Sequence, residues 1–361
     1  MLQLQKLQLT HFRNYVQQTF QFDKNIIGIC GFNGVGKTNL IDAIYYLSFS
    51  KSYFSRTDAS NVNHNLQGFR ITGLYELNQK QIDTTCILRE NNKKEFLFNH
   101  EEYPKLSEHI GKLPCVMIAP DDVELISGSG DLRRKFLDVI ISQFNKEYLS
   151  AIIKYNQFLL QRNSILKKYP HQYDEILFNI ISEQLITSGN YIFKVRESFL
   201  KSFLPKVIEN YQLIADTDEK LMANYQSQLI NKNFIELLKA NQSNDFKVQR
   251  TTVGTHKDDI EFELNEQKFK TIASQGQRKS LLFALKLTEW QTLFEQKGFY
   301  PILLLDDVFE KLDEHRMKNL LHIVAQHPST QIFITDTHIE RLEHHLKSLN
   351  KAYQIIQLSS N

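Results

Sequence analysis

The residues best suited to chemistry lie in the stretch GFNGVGKTNL, which starts at Gly31. Gly31, Phe32, Asn33, Gly34, Val35, Gly36, Lys37 and Thr38 fit the spacing G-x-x-x-x-G-K-T. Glycines so placed let backbone N–H groups turn inward around phosphate oxygens. A helix starting at the same point aims its positive end at that anion. Lys37 would supply a point charge to the β- and γ-phosphates, and the Thr38 hydroxyl would bind Mg²⁺. The ligand expected from these residue types is ATP with Mg²⁺. A glycine-rich turn with no ligand fits the same string, so the flanking elements decide. NIIGIC, ending at Cys30, is an apolar run of buried-strand length. KTNLIDAIYYLS puts Leu40, Ile44 and Leu47 on one helical face. Strand, glycine loop and helix follow in the order a phosphate loop requires.

A phosphate loop needs a second metal ligand at the end of another strand. PILLLDD, from Pro301 to Asp307, offers one: four apolar residues and then two acids. Asp306 is expected to hold Mg²⁺ through water, and Asp307 to orient an attacking water. SQGQRKSLLFALKL begins at Ser274 and opens a helix carrying Leu281, Leu282, Leu285 and Leu287. Alone, this is a capped amphipathic helix. Its place before PILLLDD, with EKLD (Glu310 to Asp313) after it, gives it a second meaning. Signature helix, acidic strand and D-loop in that order are the layout of an ABC-type ATPase. In that layout Ser274, Gly276 and Gln277 serve the γ-phosphate of a nucleotide held by a second copy of the chain. The expected site is therefore completed across a homodimer, with Lys37, Asp307 and Ser274 as the candidate catalytic side chains. A further γ-phosphate contact is expected after the strand in QIFITDTH, and the spacing leaves it open between Asp336 and His338.

Composition sets the outer limits. The chain has 361 residues, with 43 Lys plus Arg against 41 Asp plus Glu and a formal charge of +2. It is not a strongly basic chain, so nucleic acid could be met only through a local patch. Cys30, Cys86 and Cys115 lack metal-ligand spacing and fit small buried side chains in a reducing compartment. The N-terminal MLQLQKLQLTHFRNY alternates like a strand, not a signal peptide. No apolar run reaches membrane-span length. A soluble, cytoplasmic protein with no membrane partner is expected.

The elements that must position these residues fall into blocks. Leu2, Leu4, Leu7 and Leu9 predict an antiparallel strand, and residues 69–99 read as further strands separated by NQKQ and NNKK. From about Asp131 the periodicity turns helical, with a further helix from about Tyr173 to Leu204 and a weaker signal to Leu238. Strand pattern returns in DDIEFELN. The expected fold is α/β: a split P-loop ATPase core, like the ABC and SMC heads, at 1–130 and 245–361, with an all-helical insertion at 131–244. There is no internal repeat and no heptad array for a coiled-coil arm.

Several stretches have no place in the general ABC set. FRNY (Phe12 to Tyr15), AIYYLSFSKS, APDDVELISGSGDLRRKFLD (Ala119 to Asp138), YNQFLLQRNSILK and VGTHKDD (Val253 to Asp259) are among them. With GFNGVGKTN, SQGQRK and LLLDDVFEKLD, the chain resembles the RecF family over nearly its whole length. That family is related to SMC head domains. It usually has Glu where Phe32 stands, Pro where Thr255 stands, and Leu-Glu where Ile41 and Asp42 stand. The resemblance implies a weak ATPase used as a timer, an ATP-dependent dimer, and binding to gapped, single-stranded or junction DNA. It also implies work with RecO and RecR proteins to load RecA in DNA repair and replication, within the SOS response to damage.

Candidate DNA contacts are Arg133, Arg134 and Lys135, with Lys51, Arg56, Lys154 and Arg162. Each could equally be a solvated or ion-paired side chain. No sequence-reading module is present, so backbone and shape recognition is expected. A transporter ATPase subunit or an SMC-like ATPase is the alternative. The first would carry a Gly-Gly signature where Gln275-Gly276 stands, and the second would carry long heptad arms. A small-molecule kinase would leave SQGQ and DDVFEKLD unexplained.

Overall fold

A computed structural model describes residues 1–169, 173–216, 218–308, 314–327 and 329–359. The chain opens with β1 (Leu2–Phe12), β2 (Tyr15–Gln21), β3 (Ile26–Cys30), α1 (Lys37–Phe49), β4 (Phe69–Leu77), β5 (Lys80–Leu88), β6 (Lys94–Phe98), β7 (Glu101–Glu102) and β8 (Cys115–Ile118). Then come α2 (Glu124–Ser127), α3 (Gly130–Ser142), α4 (Lys146–Lys168), α5 (Glu175–Ala215), β9 (Leu221–Gln226), α6 (Phe234–Val248), β10 (Asp259–Leu264), β11 (Gln267–Lys268) and α7 (Phe269–Ile272). The last part holds α8 (Gln275–Lys297), β12 (Ile302–Leu305), α9 (Glu314–Ala325), β13 (Ile332–Asp336), α10 (Ile339–Ser348) and β14 (Tyr353–Gln357).

Two compact units result, one of residues 1–122, 213–216 and 279–361, the other of residues 123–212 and 217–278. The first unit contains a six-stranded antiparallel sheet, β2-β1-β4-β5-β6-β7, and a five-stranded parallel sheet, β14-β3-β13-β12-β8. Leu2, Leu4, Leu7 and Leu9 are all fully buried although their spacing is not strictly two. The pairing of β1 with β4 shifts register between Leu4 and Lys6, and this bulge absorbs the odd residue so that Leu7 returns to the buried face. The parallel sheet is lined by continuous apolar runs. Ile26–Cys30, Ile302–Leu305 and Ile332–Asp336 are buried throughout, as strands covered on both faces must be. Cys30, Cys86 and Cys115 are buried, and none of them is in a disulfide.

The second unit packs α4, α5 and α6 around Tyr148, Tyr155, Leu185, Ile192, Phe234 and Leu238. It differs from the expected all-helical insertion. It also holds a three-stranded sheet, β11-β10-β9, and β9 lies inside the segment expected to be helical. Leu221, Ala223 and Tyr225 of β9 stand opposite Leu264, Phe262 and Ile260 of β10. The partner strand fixes β9, whose own apolar signal is weak. The unit also begins at residue 123 and ends at 278, not at 131 and 244. Helix α5 continues through Pro205 to Ala215, into the stretch after Leu204 where the helical signal was weaker. Among the described residues, no helix is long and apolar enough to cross a membrane.

Candidate nucleotide site

The ends of β3, β12 and β13 lie along one edge of the parallel sheet. Asp336 pairs with Cys30 and Leu305 with Ile334, so Gly31, Asp306 and Thr337 all follow their strands on that edge. Ligands of open parallel sheets gather at the carboxyl ends of the strands.

The phosphate loop is held from behind by FRNY. Asn14 donates its amide to the Val35 carbonyl at 2.9 Å, and Tyr15 donates its hydroxyl to the Gly36 carbonyl at 3.0 Å. Asn39 in turn donates to the Asn14 side chain at 2.8 Å. Gly36 caps α1 with φ 110°, and a Cβ there would lie 2.5 Å from the Asn14 amide nitrogen and 2.8 Å from the Tyr15 hydroxyl. Both the backbone angle and the close approach require glycine. Arg13 secures the start of the following loop. It pairs with the fully buried Asp42 at 2.9 Å, and Asp42 accepts from Ser52 at 2.7 Å and from the Tyr53 backbone N–H at 2.8 Å.

Lys37 is buried, and its ammonium donates to the carbonyls of Gly31 at 2.8 Å and Phe32 at 3.2 Å. Phe32 itself is 83% exposed at the loop tip. Thr38 Oγ1 lies 3.1 and 3.0 Å from the two carboxylate oxygens of Asp306. Thr335, which the sequence pattern did not single out, completes this cluster. Its hydroxyl donates to Asp306 Oδ1 at 2.8 Å and accepts from the Asp307 backbone N–H at 2.8 Å. The only sequence signal for it was its place in FITDTH, one residue before Asp336. Burial, then the neighbouring Asp307 carboxylate, push Asp306 up to about 6, against the Thr335 and Thr38 hydroxyls and Lys37, which pull it down. Asp307 sits in the left-handed backbone region with φ 45°, a conformation that costs of order 1 kcal/mol for a side-chain-bearing residue.

This donor set suits ATP with Mg²⁺. A hydroxyl and a carboxylate offer hard oxygens to a divalent cation. A buried carboxylate displaced upward gains most from a cation beside it. The loop is open beside Gly34, where a Cβ would meet nothing within 4 Å.

Ser274 begins α8 as one half of a capping box. Its hydroxyl accepts from the Gln277 backbone N–H at 3.2 Å, and the Gln277 side chain accepts from the Ser274 N–H at 2.8 Å. Gln277 also donates to Glu219 at 2.7 Å. Ser274 and Gly276 belong to the second unit, whereas Lys37, Thr38, Asp306 and Asp307 belong to the first. The EKLD stretch lies outside the described residues. Asp336 is buried in a two-point pair with Arg341, at 2.8 and 2.6 Å, while His338 is exposed.

Three of the candidate DNA contacts are instead committed inside the second unit. Arg133 is buried and grips Asp259 at 2.6 and 2.8 Å. Arg134 donates to the Asp258 carbonyl at 2.6 Å. Arg162 is buried against Asp245 and Thr251, both at 2.7 Å. The charged residues of RRKFLD and VGTHKDD thus form a structural network, joined through Arg196 to Asp138 at 2.8 Å and Asp258 at 3.1 Å. Lys51, Arg56, Lys135 and Lys154 remain exposed.

The family model described as RecF/RecN/SMC N terminal domain matches residues 3–360. The DNA replication and repair protein RecF of Flavobacterium johnsoniae is 39% identical over 359 residues, 99% of this chain and 100% of that protein. The chain belongs to the RecF family. RecF of Phocaeicola vulgatus is 39% identical over 354 residues, 98% of this chain and 95% of its own. A solved structure of the recombination mediator protein RecF-ATP in the RecFOR pathway superposes with a TM-score of 0.86 at 30% identity, covering 93% of this chain and 92% of that one. An SMC head domain from Pyrococcus furiosus covers all of this chain at 14% identity with a TM-score of 0.56, a likeness of fold alone. RecF and the SMC heads share the ABC-like P-loop ATPase fold, and this chain has it.

Proposed function

We propose that this RecF-family chain is an ATP-dependent DNA-binding protein of recombinational repair and replication, with a weak ATPase completed across a homodimer. The observation that carries the reading is the cluster of Lys37, Thr38, Asp306 and Thr335 at one sheet edge. A RecF solved with ATP at 30% identity supports the nucleotide, and the RecFOR pathway named for it supports RecO- and RecR-type partners. When bound, Mg²⁺ supplies charge to the β- and γ-phosphates.

The chain's own residues then divide the work. Loop N–H groups of residues 31–38 bind phosphate oxygens, and Lys37 exchanges its two carbonyl acceptors for them. Thr38 and Asp306 hold the cation. Asp307 orients the attacking water. Ser274, Gly276 and Gln277 at the start of α8 meet the γ-phosphate held by a second copy, where the helix N-terminus favours the anion. Their placement in the other unit, at an exposed capping box, agrees with that role. Closure gathers the exposed basic side chains for DNA, either gapped or at a single-strand to double-strand junction, and hydrolysis reopens the dimer. Loading of a recombinase would follow with the partner proteins.

Analytical ultracentrifugation of Asp307→Asn without nucleotide, with ADP and with ATP tests this, with labelled gapped DNA added to each. A shift to dimer with ATP alone, followed by DNA, is expected. A monomer in all states would sink the clamp reading and return the chain to the wider set of ABC-type ATPases.

A further inference from the structure

We infer that an open cavity on the helical unit, walled by Tyr169 and Phe246, takes a base of single-stranded nucleic acid. This rests on the DNA-binding reading above and adds a subsite that the nucleotide motifs do not imply.

The cavity measures about 630 Å³ and is lined by Tyr169, Lys239, Gln242, Ser243, Phe246 and Lys247. Five of these fall on α6 at positions 239, 242, 243, 246 and 247, which is a single helical stripe. The opposite face of α6 is buried through Phe234, Leu237 and Leu238. The stripe therefore faces away from that packed face, with Gln242 and Phe246 half-buried. Tyr169 stands at the end of α4 with its ring 4.4 Å from that of Phe246, and it is 44% exposed. Phe246 is supported from behind by Tyr173 at 5.2 Å and by the stacked ring of Phe178 at 5.5 Å. Such backing fixes the aromatic wall while one ring keeps a face open.

The charges lining the cavity have one sign, with Glu175 acting on Tyr173 behind the wall. Lys239 and Lys247 are exposed, no carboxylate is among the lining residues, and the nearby Asp245 is buried against Arg162. Lys167 and Lys168 precede Tyr169 in the last turn of α4. The two α6 lysines lie roughly 12 Å apart along the axis and bracket Phe246. A stacked base would place backbone phosphate on either side of it, one for each ammonium. Gln242 and Ser243 line the same cavity, and the Gln242 side chain also hydrogen-bonds to Tyr173 behind the wall. Duplex bases are already stacked and cannot reach such a wall, so the ligand is the single strand.

Fluorescence anisotropy of the full chain with ATP, using labelled oligothymidine and a duplex of equal length, tests the assignment. Tyr169→Ala is expected to weaken oligothymidine binding by between about five- and a hundredfold, with Tyr169→Phe close to wild type. Duplex affinity should stay within about twofold, because stacking is closed to it. Replacing Lys239 and Lys247 together by Gln should make the salt slope shallower by roughly 1.4, the loss of two single-strand phosphate contacts. Circular dichroism melts confirm that each variant is folded. Unchanged oligothymidine affinity in folded Tyr169→Ala would overturn the subsite while leaving the DNA-binding reading intact. No DNA binding by wild type in any nucleotide state would overturn both. An acidic, aromatic-ended peptide that binds at Tyr169 and is not displaced by oligothymidine would overturn the base assignment in favour of a peptide ligand.

Discussion

The Thr38 hydroxyl points at both carboxylate oxygens of Asp306, 3.1 and 3.0 Å away, across 268 positions of sequence. One residue lies in the first turn of α1 and the other follows β12, and β13 lies between β3 and β12 in the sheet. Thr335 on that intervening strand hydrogen-bonds to Asp306 as well. The three strands therefore meet in one polar cluster at the place where the loop motif and the acidic strand motif should converge.

Gly36 is held to glycine by its backbone angle and by its neighbours. Alanine there must adopt φ near 110° and push into Asn14 and Tyr15. Gly36→Ala is expected to destabilise the protein by about 1–3 kcal/mol and to abolish the thermal shift that ATP with Mg²⁺ gives the wild type. Tyr15→Phe removes one hydrogen bond to the Gly36 carbonyl, worth about 1 kcal/mol, and should weaken ATP roughly fivefold while leaving the fold intact. Differential scanning fluorimetry across an ATP titration checks both. An unaltered ATP response in Tyr15→Phe would show that the loop needs no support from FRNY.

Ser274 separates capping from catalysis. Ser274→Asp keeps an N-cap side chain but sets a negative charge where the second copy's γ-phosphate is proposed to lie. Monomer ATP binding should be unchanged, whereas ATP-dependent dimerisation should fall at least tenfold, a cost of about 1.4 kcal/mol. Ser274→Arg should block the dimer by bulk and lose the cap as well, at about 1 kcal/mol of stability. Equilibrium binding of a fluorescent ATP analogue to the monomer, read beside sedimentation, gives both quantities. Loss of monomer ATP binding in Ser274→Asp would refute service in trans.

How much of this was legible in the sequence depended on how local each signal was. The loop from Gly31 to Thr38 and the run before Asp306 are contiguous, so their elements could be read directly. Thr335 and the Asn14–Val35 contact are long-range partners, and nothing in a local pattern marks them. The strand β9 carries only Leu221, Ala223 and Tyr225 on its paired face and is defined by β10. Arginines were read least well. A guanidinium has the same letter whether it meets a phosphate or the protein's own oxygens, and here Arg133 meets the Asp259 carboxylate, Arg134 the Asp258 backbone carbonyl and Arg162 the buried Asp245.

Arg162 should accordingly behave as a structural residue. It is 1% exposed and pairs with Asp245, which is fully buried. Arg162→Ala leaves that carboxylate without its cation and is expected to cost about 3–5 kcal/mol. Lys135→Gln and Lys154→Gln change exposed side chains and should stay within about 0.5 kcal/mol. Urea melts measure stability, and DNA titrations of the folded lysine variants measure binding. A fully stable Arg162→Ala with weakened DNA binding would restore the contact role.

Lys286 on α8 is buried between Asp122 at 3.6 Å and Glu289 at 3.8 Å, with the Tyr53 hydroxyl bonded to Asp122. Burial alone would pull Lys286 down, but Asp122, Glu289 and Tyr45 together hold it above its ordinary value. Burial pushes Glu289 from 4.5 up to about 7, further raised by Asp122 and opposed by Lys286, and its Oε2, 3.8 Å from the Lys286 ammonium, has no hydrogen-bond partner among the described residues. The folded chain therefore holds a proton on Glu289 that the unfolded chain has already lost. This group makes stability fall as pH rises from about 4.5 to about 7, and the penalty is then constant. Glu289→Gln removes the ionisation. Its stability relative to wild type should rise across that window, by about 3 kcal/mol in total, and level off above it. Contributions from the neutral buried His109 and His256 are common to both proteins and cancel in the difference. Paired urea melts at pH 5 and pH 8 read the change. A gap that narrows toward pH 8 would mean that Lys286 stabilises an ionised Glu289, with the sign of the whole cluster reversed.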